Sequence, residues 1–449
     1  MRPVVLVDLG YGDAGKGTVV DWLCASRPVR TVIRFNGGAQ AAHNVVLRDG
    51  RRHTFAQFGS GTLRPGVGTH LSRFVAVDPV ALAAEARHLA EIGVPDALSR
   101  LTVDRDAPLA TPYHRAANRA RERARGAGRH GSCGMGVGET VAYQLAHPDE
   151  APRVADCQDP RRLRRRLLAL RERLAADVGP LDAPPVDDCV AAFTGFADRV
   201  SIVDQTFAGQ LIRAGGVVFE GAQGVLLDEW HGFHPYTTWS TTTFANADKL
   251  LAEAGLAGEA TRLGVLRVVT TRHGPGPLVT EDPALRLTDP NNPTNPWQGR
   301  FRFGHFDAVA HRYALEVAGG VDGLALTHLD LTHRDLTHRD LTHRDPTHRD
   351  PTHRDPTHRD PTDRDLLMCH GYDWTDRLEP GSAGDLDRQA ALTRRLLATR
   401  PRYGAPPGRD PAGPTAGWIA AVERVLEVPV VLASHGPTAE DKSPLSPLA

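Results

Sequence analysis

Short, wholly apolar runs alternate with amphipathic stretches along most of the chain. Val4 to Val7 is such a run, and after a glycine-rich break Thr18-Val19-Val20-Asp21-Trp22-Leu23 carries apolar positions at helical spacing. Thr31-Val32-Ile33-Arg34-Phe35 reads as a β-branched strand, and Phe74 to Pro79 as a strand ending at a turn before the alanine-rich helix Val80 to Ile92. Pro112 to Arg129 and Arg161 to Ala176 read as basic helices whose arginines form solvated faces. Val217-Val218-Phe219 is another apolar strand, and near the C-terminus the helix Trp418 to Leu426 leads into the strand Val428 to Ala433. Strand alternating with helix predicts an α/β fold with a large, mostly parallel central sheet flanked by helices.

One segment breaks the pattern. From Leu326-Thr327-His328-Leu329-Asp330 a pentad recurs, first Leu-Thr-His-Arg-Asp and then Pro-Thr-His-Arg-Asp, until Asp365. A period of five fits neither helix nor strand, and recurring proline opposes both. Residues 331–365 are therefore expected to be an exposed, largely disordered insertion in a single domain formed by 1–330 and 366–449, and its deletion is expected to leave activity intact.

The breaks between apolar runs carry the candidate chemistry. Asp8-Leu9-Gly10-Tyr11-Gly12-Asp13-Ala14-Gly15-Lys16-Gly17 links a strand to a helix, the arrangement in which backbone N–H groups hold phosphate at a helix N-terminus. Gly10, Gly15 and Lys16 fit the G-x-x-x-x-G-K core of a P-loop, but Gly17 stands where a magnesium-binding hydroxyl is usual, and Asp13 brings a carboxylate into the loop. Facing a triphosphate, that carboxylate must ligate a metal or take a proton from substrate. The strand Thr31 to Phe35 is expected to lie next to the phosphate-loop strand, which delivers His43 of Gly37-Gly38-Ala39-Gln40-Ala41-Ala42-His43 to the same sheet edge. Phe219-Glu220-Gly221-Ala222-Gln223-Gly224 and its hydroxyl-rich continuation to Thr243 offer amides and hydroxyls suited to a purine edge. Thr270 to Pro277 reads as a rigid substrate-facing loop. Arg300 and Arg302, two residues apart, share a side of an extended segment and can clamp a dicarboxylate or phosphate.

Composition narrows the partners. The chain has 449 residues and a formal net charge of -1, with a pI near 7.1, so no basic field favours nucleic acid. No secretory leader stands out, and no apolar run approaches the roughly 20 residues that span a bilayer. Five cysteines without a C-x-x-C pair suit a reducing compartment and give no zinc template. The expectation is a cytoplasmic protein with small-molecule partners.

Taken together, Gly12 to Gly17, Gly37 to His43, Phe219 to Gly224 with His231-Gly232, and Ser434-His435-Gly436-Pro437 resemble the adenylosuccinate synthetase family. The resemblance implies GTP-dependent ligation of aspartate to IMP through a 6-phosphoryl intermediate, with Mg²⁺, in a homodimer. By that resemblance Asp13 is the general base and His43 stabilises the transferred phosphoryl group. Gly12, Gly15, Lys16, Gly17, Thr18, Arg302, His328, Asp330, Ser434, His435 and Gly436 would hold GTP. Asp13, Lys16, Gln40, His43, Cys133, Gln223, Thr238 and Arg300 would hold IMP, Arg300 and Arg302 the aspartate, and Asp13 with the carbonyl of Ala42 the metal. Several positions depart from the family pattern: His328 replaces a lysine, Ala14 a glutamate, Gln40 an asparagine, Ala42 a glycine and Met135 an arginine. These departures leave open a paralogue with another amine donor or 6-oxopurine nucleotide, ATP in place of GTP, or a nucleotide-binding regulator without catalysis.

Overall fold

The computed structural model describes residues 1–332, 365–407 and 413–448. In chain order the strands are β1 (Val4–Asp8), β2 (Thr31–Arg34), β3 (His43–Val46), β4 (Arg52–Phe55), β5 (Gly68–Leu71), β6 (Leu101–Asp104), β7 (Ser201–Val203), β8 (Val217–Glu220) and β9 (Thr261–Arg267). They continue with β10 (Thr270–His273), β11 (Phe301–Gly304), β12 (Phe306–Asp307), β13 (Gly323–Thr327), β14 (Met368–Tyr372), β15 (Pro401–Tyr403), β16 (Val430–Ser434) and β17 (Lys442–Pro444). Ten of them form one sheet in the order β17-β16-β13-β9-β1-β8-β2-β5-β6-β7. Every pairing in it is parallel except β16 with β17 at the edge.

All five residues of β1 are buried, as a strand covered on both faces requires. The strand's period of two divides them: Val5 and Val7 join the cluster containing Phe35, Phe219 and Tyr313, while Val4 and Leu6 pack with Val19, Val20 and Leu23 of the helix α1 (Lys16–Ser26) on the opposite face. Burying each such valine or leucine contributes roughly 1.5–3 kcal/mol. α1 begins after Gly15, whose φ of 93° caps the helix without a side chain, and ends shortly before Pro28.

Two expectations need correction. β2 does not adjoin β1, because β8 lies between them and pairs in parallel with both. β8 enters from nearly two hundred residues downstream, and chain order carries no sign of it. Phe74 to Pro79 is not a strand: only Ala76 and Val77 form bridges, to Gly38 and Leu109, because Ser72 to Val75 turn and Pro79 already opens the helix α2 (Pro79–Glu91). The expected basic helices are α3 (Pro112–Ala124) and, after α4 (Val137–Ala146), α5 (Pro160–Val178). Thr270 to Pro277 is half strand, since Thr270–His273 pairs antiparallel with β11. Of the pentad segment, residues 333–364 lie outside the described residues; Leu331 and Thr332, at its start, are buried against the main core.

Candidate active site

The C-terminal ends of β1, β2, β8, β13 and β16 open into a cavity of about 1640 Å³. This is where an open α/β sheet places its ligands. Of five non-glycine residues with positive φ among the described residues, three line it: Asp13 (60°), Gln223 (57°) and His328 (59°). Each such conformation costs on the order of 1–3 kcal/mol and collects at functional sites.

Asp8 organises the phosphate loop. Its Oδ1 accepts from Gly10 N (2.9 Å) and Gly12 N (3.3 Å), and its Oδ2 from Ala14 N (2.9 Å) and Lys16 Nζ (3.0 Å). Lys16 also donates to the carbonyl of Gln223 at 2.7 Å, which ties the β1 and β8 loops together. Gly224 permits this closeness, since a Cβ there would run into the Gly10 carbonyl. The absent P-loop hydroxyl has a steric cause: a Cβ on Gly17 would stand 2.9 Å from the Cβ of His43 and 3.1 Å from the Asn44 carbonyl. Gly17 thus exchanges a side chain for the close approach of His43.

Asp13 sits in the cavity wall with its carbonyl accepting from Arg267 Nη1 (3.1 Å) and its Oδ2 3.8 Å from His273 Nε2. Burial raises its pKa above the usual carboxylate value, opposed by His273, Lys16 and Arg267. His43 begins the β3–β4 hairpin and pairs its Nδ1 with Glu220 Oε1 at 2.7 Å. Ser60 N donates to Glu220 Oε2 at 2.9 Å, and Ser60 Oγ donates to Oε1. Burial pushes Glu220 up, but His43, Arg34 and Ser60 together hold it at about 2, so it is a carboxylate. Burial outweighs Glu220 in lowering His43 to about 4. The imidazole is therefore neutral, with Nδ1–H donating to Glu220 and Nε2 as its remaining polar atom.

The amides carry the clearest sign of a polar ligand. Both side-chain amide atoms of Gln40, and Oε1 of Gln223, are buried without a hydrogen-bond partner, and both residues line the cavity. Each unpaired atom of this kind costs about 1–3 kcal/mol. Gly12, Gly15, Thr18, Ala42, Cys133, Thr238, His328, Asp330, Ser434 and Gly436 also line the cavity. Burial pushes the Cys133 thiol up, and it pushes His328 well down, leaving a neutral imidazole bonded through Nδ1 to Thr327 Oγ1 at 2.9 Å. His435, Arg300 and Arg302 are not in the wall. His435 N donates to the Asp441 carbonyl, Arg300 is exposed just before β11, and Arg302 inside β11 is turned to Glu281. Sequence reasoning missed the bracing role of Asp8, and also Asn292 and Gln298, which line the wall from a loop without periodicity. It placed His273 in a substrate-facing loop without singling it out. Arg272 lines the wall too, but its guanidinium serves the scaffold, donating to the carbonyls of Pro275, Pro277 and Tyr236 over the Tyr11 ring.

A family model described as adenylosuccinate synthetase matches residues 5–336. The chain belongs to the adenylosuccinate synthetase family. The adenylosuccinate synthetase of a Marinomonas species is 37% identical over 340 residues, covering 73% of this chain and 77% of the relative. That of Acidithiobacillus ferrooxidans is 35% identical over 350 residues, covering 73% and 77%. In fold, the chain is similar to the fully ligated adenylosuccinate synthetase from Plasmodium falciparum (TM-score 0.77, 20% identity, covering 99% of this chain and 100% of that one). It also resembles cyanophage S-2L succinoaminodeoxyadenylate synthetase (TM-score 0.59, 16% identity, covering 99% and 96%). The protein is thus an enzyme, a ligase that forms a carbon–nitrogen bond, in the GTP-dependent family that joins IMP and aspartate in purine biosynthesis. Among the described residues no helix is long and apolar enough to cross a membrane.

Proposed function

We propose that this chain ligates L-aspartate to IMP with GTP, giving adenylosuccinate, GDP and phosphate through 6-phosphoryl-IMP. The observation that carries the reading is the convergence of Asp13, His43 and the unpaired amides of Gln40 and Gln223 on one cavity at the sheet edge. A purine oxygen is a poor nucleophile until N1 loses its proton. Asp13 accepts that proton as general base, and O6 then attacks the γ-phosphorus as GDP leaves. His43, held by Glu220, presents Nε2 to the transferred phosphoryl group; a proton taken from solvent as negative charge gathers there makes it a donor, and Glu220 stabilises the imidazolium. The amine of aspartate then displaces phosphate from C6.

IMP is assigned to Asp13, Lys16, Gln40, His43, Cys133, Gln223, Thr238 and Arg300, and aspartate to Arg300 and Arg302. GTP is assigned to the phosphate loop with Thr18, Arg302, His328, Asp330 and Ser434 to Gly436. Asp13 and the Ala42 carbonyl offer the hard oxygen donors that suit Mg²⁺, and both residues line the cavity. Among the described residues no group of three or more His, Cys, Asp or Glu could hold a metal, so substrate phosphates would have to supply the other ligands. Bound there, Mg²⁺ would neutralise phosphate charge. Leu145, Trp230 and Trp239 stand exposed at the cavity and support a homodimer with shared sites. Five free thiols suit a reducing cytoplasm.

Asp13→Ala tests the mechanism. The variant is expected still to bind nucleotide by calorimetry, read with GTP, and to lose turnover by at least about 10²-fold; an active Asp13→Ala enzyme would refute the assignment of the base.

A further inference from the structure

Glu281 and Arg302 form a pair that the reaction as described does not use. Arg302 Nη1 donates to Glu281 Oε2 at 2.7 Å, and its Nη2 donates to the Gly276 carbonyl at 2.8 Å. Its Nε is buried without a partner. The pairing is built into the backbone: Glu281 bridges Gly304 antiparallel, next to β11, and β11 places Arg302 directly opposite Arg272 of β10. Arg272 is itself buried, and burial lowers its guanidinium to about 10. Glu281 therefore supplies the negative charge for a guanidinium that would otherwise face another across the hairpin.

We propose that Glu281 is an internal competitor for Arg302, a carboxylate that the amine donor's carboxylate must displace, and so a residue that sets the KM for aspartate. This rests on the assignment of Arg302 to the aspartate site. A carboxylate bound bidentately needs two adjacent N–H groups of the fork. One arm of Arg302 is committed to Glu281, another to Gly276, and Nε–H is buried, so no adjacent pair of N–H groups is open to a newcomer until Glu281 lets go. Exchange of one carboxylate for another keeps the charge on Arg302 balanced at each stage. The hairpin also stays neutralised when aspartate is scarce, since Glu281 returns to the fork. Neither residue lines the cavity, but Arg302 lies on the hairpin whose Arg272 and His273 do, so release of Arg302 from Glu281 is what would deliver its fork to a donor.

Glu281→Gln keeps the shape and removes the carboxylate charge, so an ion pair is replaced by a weaker hydrogen bond from the guanidinium to a neutral amide. The expected result is a KM for aspartate lower by about tenfold, with kcat within about twofold and the KM for IMP unchanged. Glu281→Asp retains the charge but withdraws it by one methylene, and is expected to give an intermediate KM. An aspartate KM that stays constant or rises in both variants overturns the proposal. Arg302→Gln separates it from the reading beneath: if that change leaves the aspartate KM unaltered, Arg302 does not bind the donor and the site assignment itself fails.

Discussion

Glu220→Gln isolates what the buried carboxylate does for His43. Glu220 is fully buried and accepts three hydrogen bonds, from His43 Nδ1, Ser60 N and Ser60 Oγ. Glutamine fits the same space and its Oε1 can still accept from Nδ1–H, but its NH₂ then faces the Ser60 N–H, donor against donor, and the negative charge behind the imidazole is gone. A bond to a charged partner is worth roughly 1.5–3 kcal/mol and a neutral one about 1 kcal/mol. The imidazolium that forms during phosphoryl transfer therefore loses about 1–2 kcal/mol, or roughly 5- to 30-fold. The expected fall in kcat is therefore about tenfold. The KM values for IMP, GTP and aspartate are expected to stay within about threefold, because Glu220 lies behind His43. Buried Arg34, which donates to the Phe58 carbonyl, loses the nearby negative charge of Glu220, and stability is expected to fall by about 1–3 kcal/mol. Single-turnover phosphate release with GTP, IMP and aspartate reads the rate, and urea unfolding reads the stability. A folded Glu220→Gln enzyme with unchanged kcat would refute the account of His43.

The buried histidines predict acid lability. Burial lowers His43, His70 and His311 to about 4 and His114 to about 3, against about 6.5 in an unfolded chain. Between those values the unfolded state binds more protons, so stability falls as pH drops from about 6.5 towards 4, each histidine contributing up to about 3 kcal/mol. Glu220, held at about 2, contributes stability above the ordinary carboxylate value that is lost as pH falls from about 4.5 through 2. The urea midpoint is expected to drop sharply between pH 7 and 5; an unchanged midpoint counts against neutral buried imidazoles. Gly17→Ala should push His43 and the Asn44 carbonyl away, costing about 1–3 kcal/mol and lowering kcat, and an unaffected enzyme would show that the approach is loose.

Much of the site was legible because each of its loops follows a buried apolar strand, and the glycines and small residues mark where the backbone must come close. Asp13, His43 and Gln223 could be named from their loops and Gln40 from the family resemblance, and all four line one cavity. Non-local pairing was not legible: nothing near Thr31 tells that β8 enters between β1 and β2. The spacing of Arg300 and Arg302 indicated a shared side of a strand, yet the direction of Arg302 is set by Glu281, whose strand neighbour is known only from the fold. Asp8 reads as the last residue of an apolar strand, and its four donors become apparent only once the loop has curled around it.

The central claim meets its most direct test when purified enzyme is mixed with IMP, GTP, Mg²⁺ and aspartate, with the ultraviolet spectrum and phosphate release followed together. The account predicts that a purine spectral shift and phosphate appear in step, one to one, and that omission of IMP or aspartate abolishes both. Phosphate released without a spectral change, or neither signal from an enzyme that still binds GTP, would contradict ligation of aspartate to IMP.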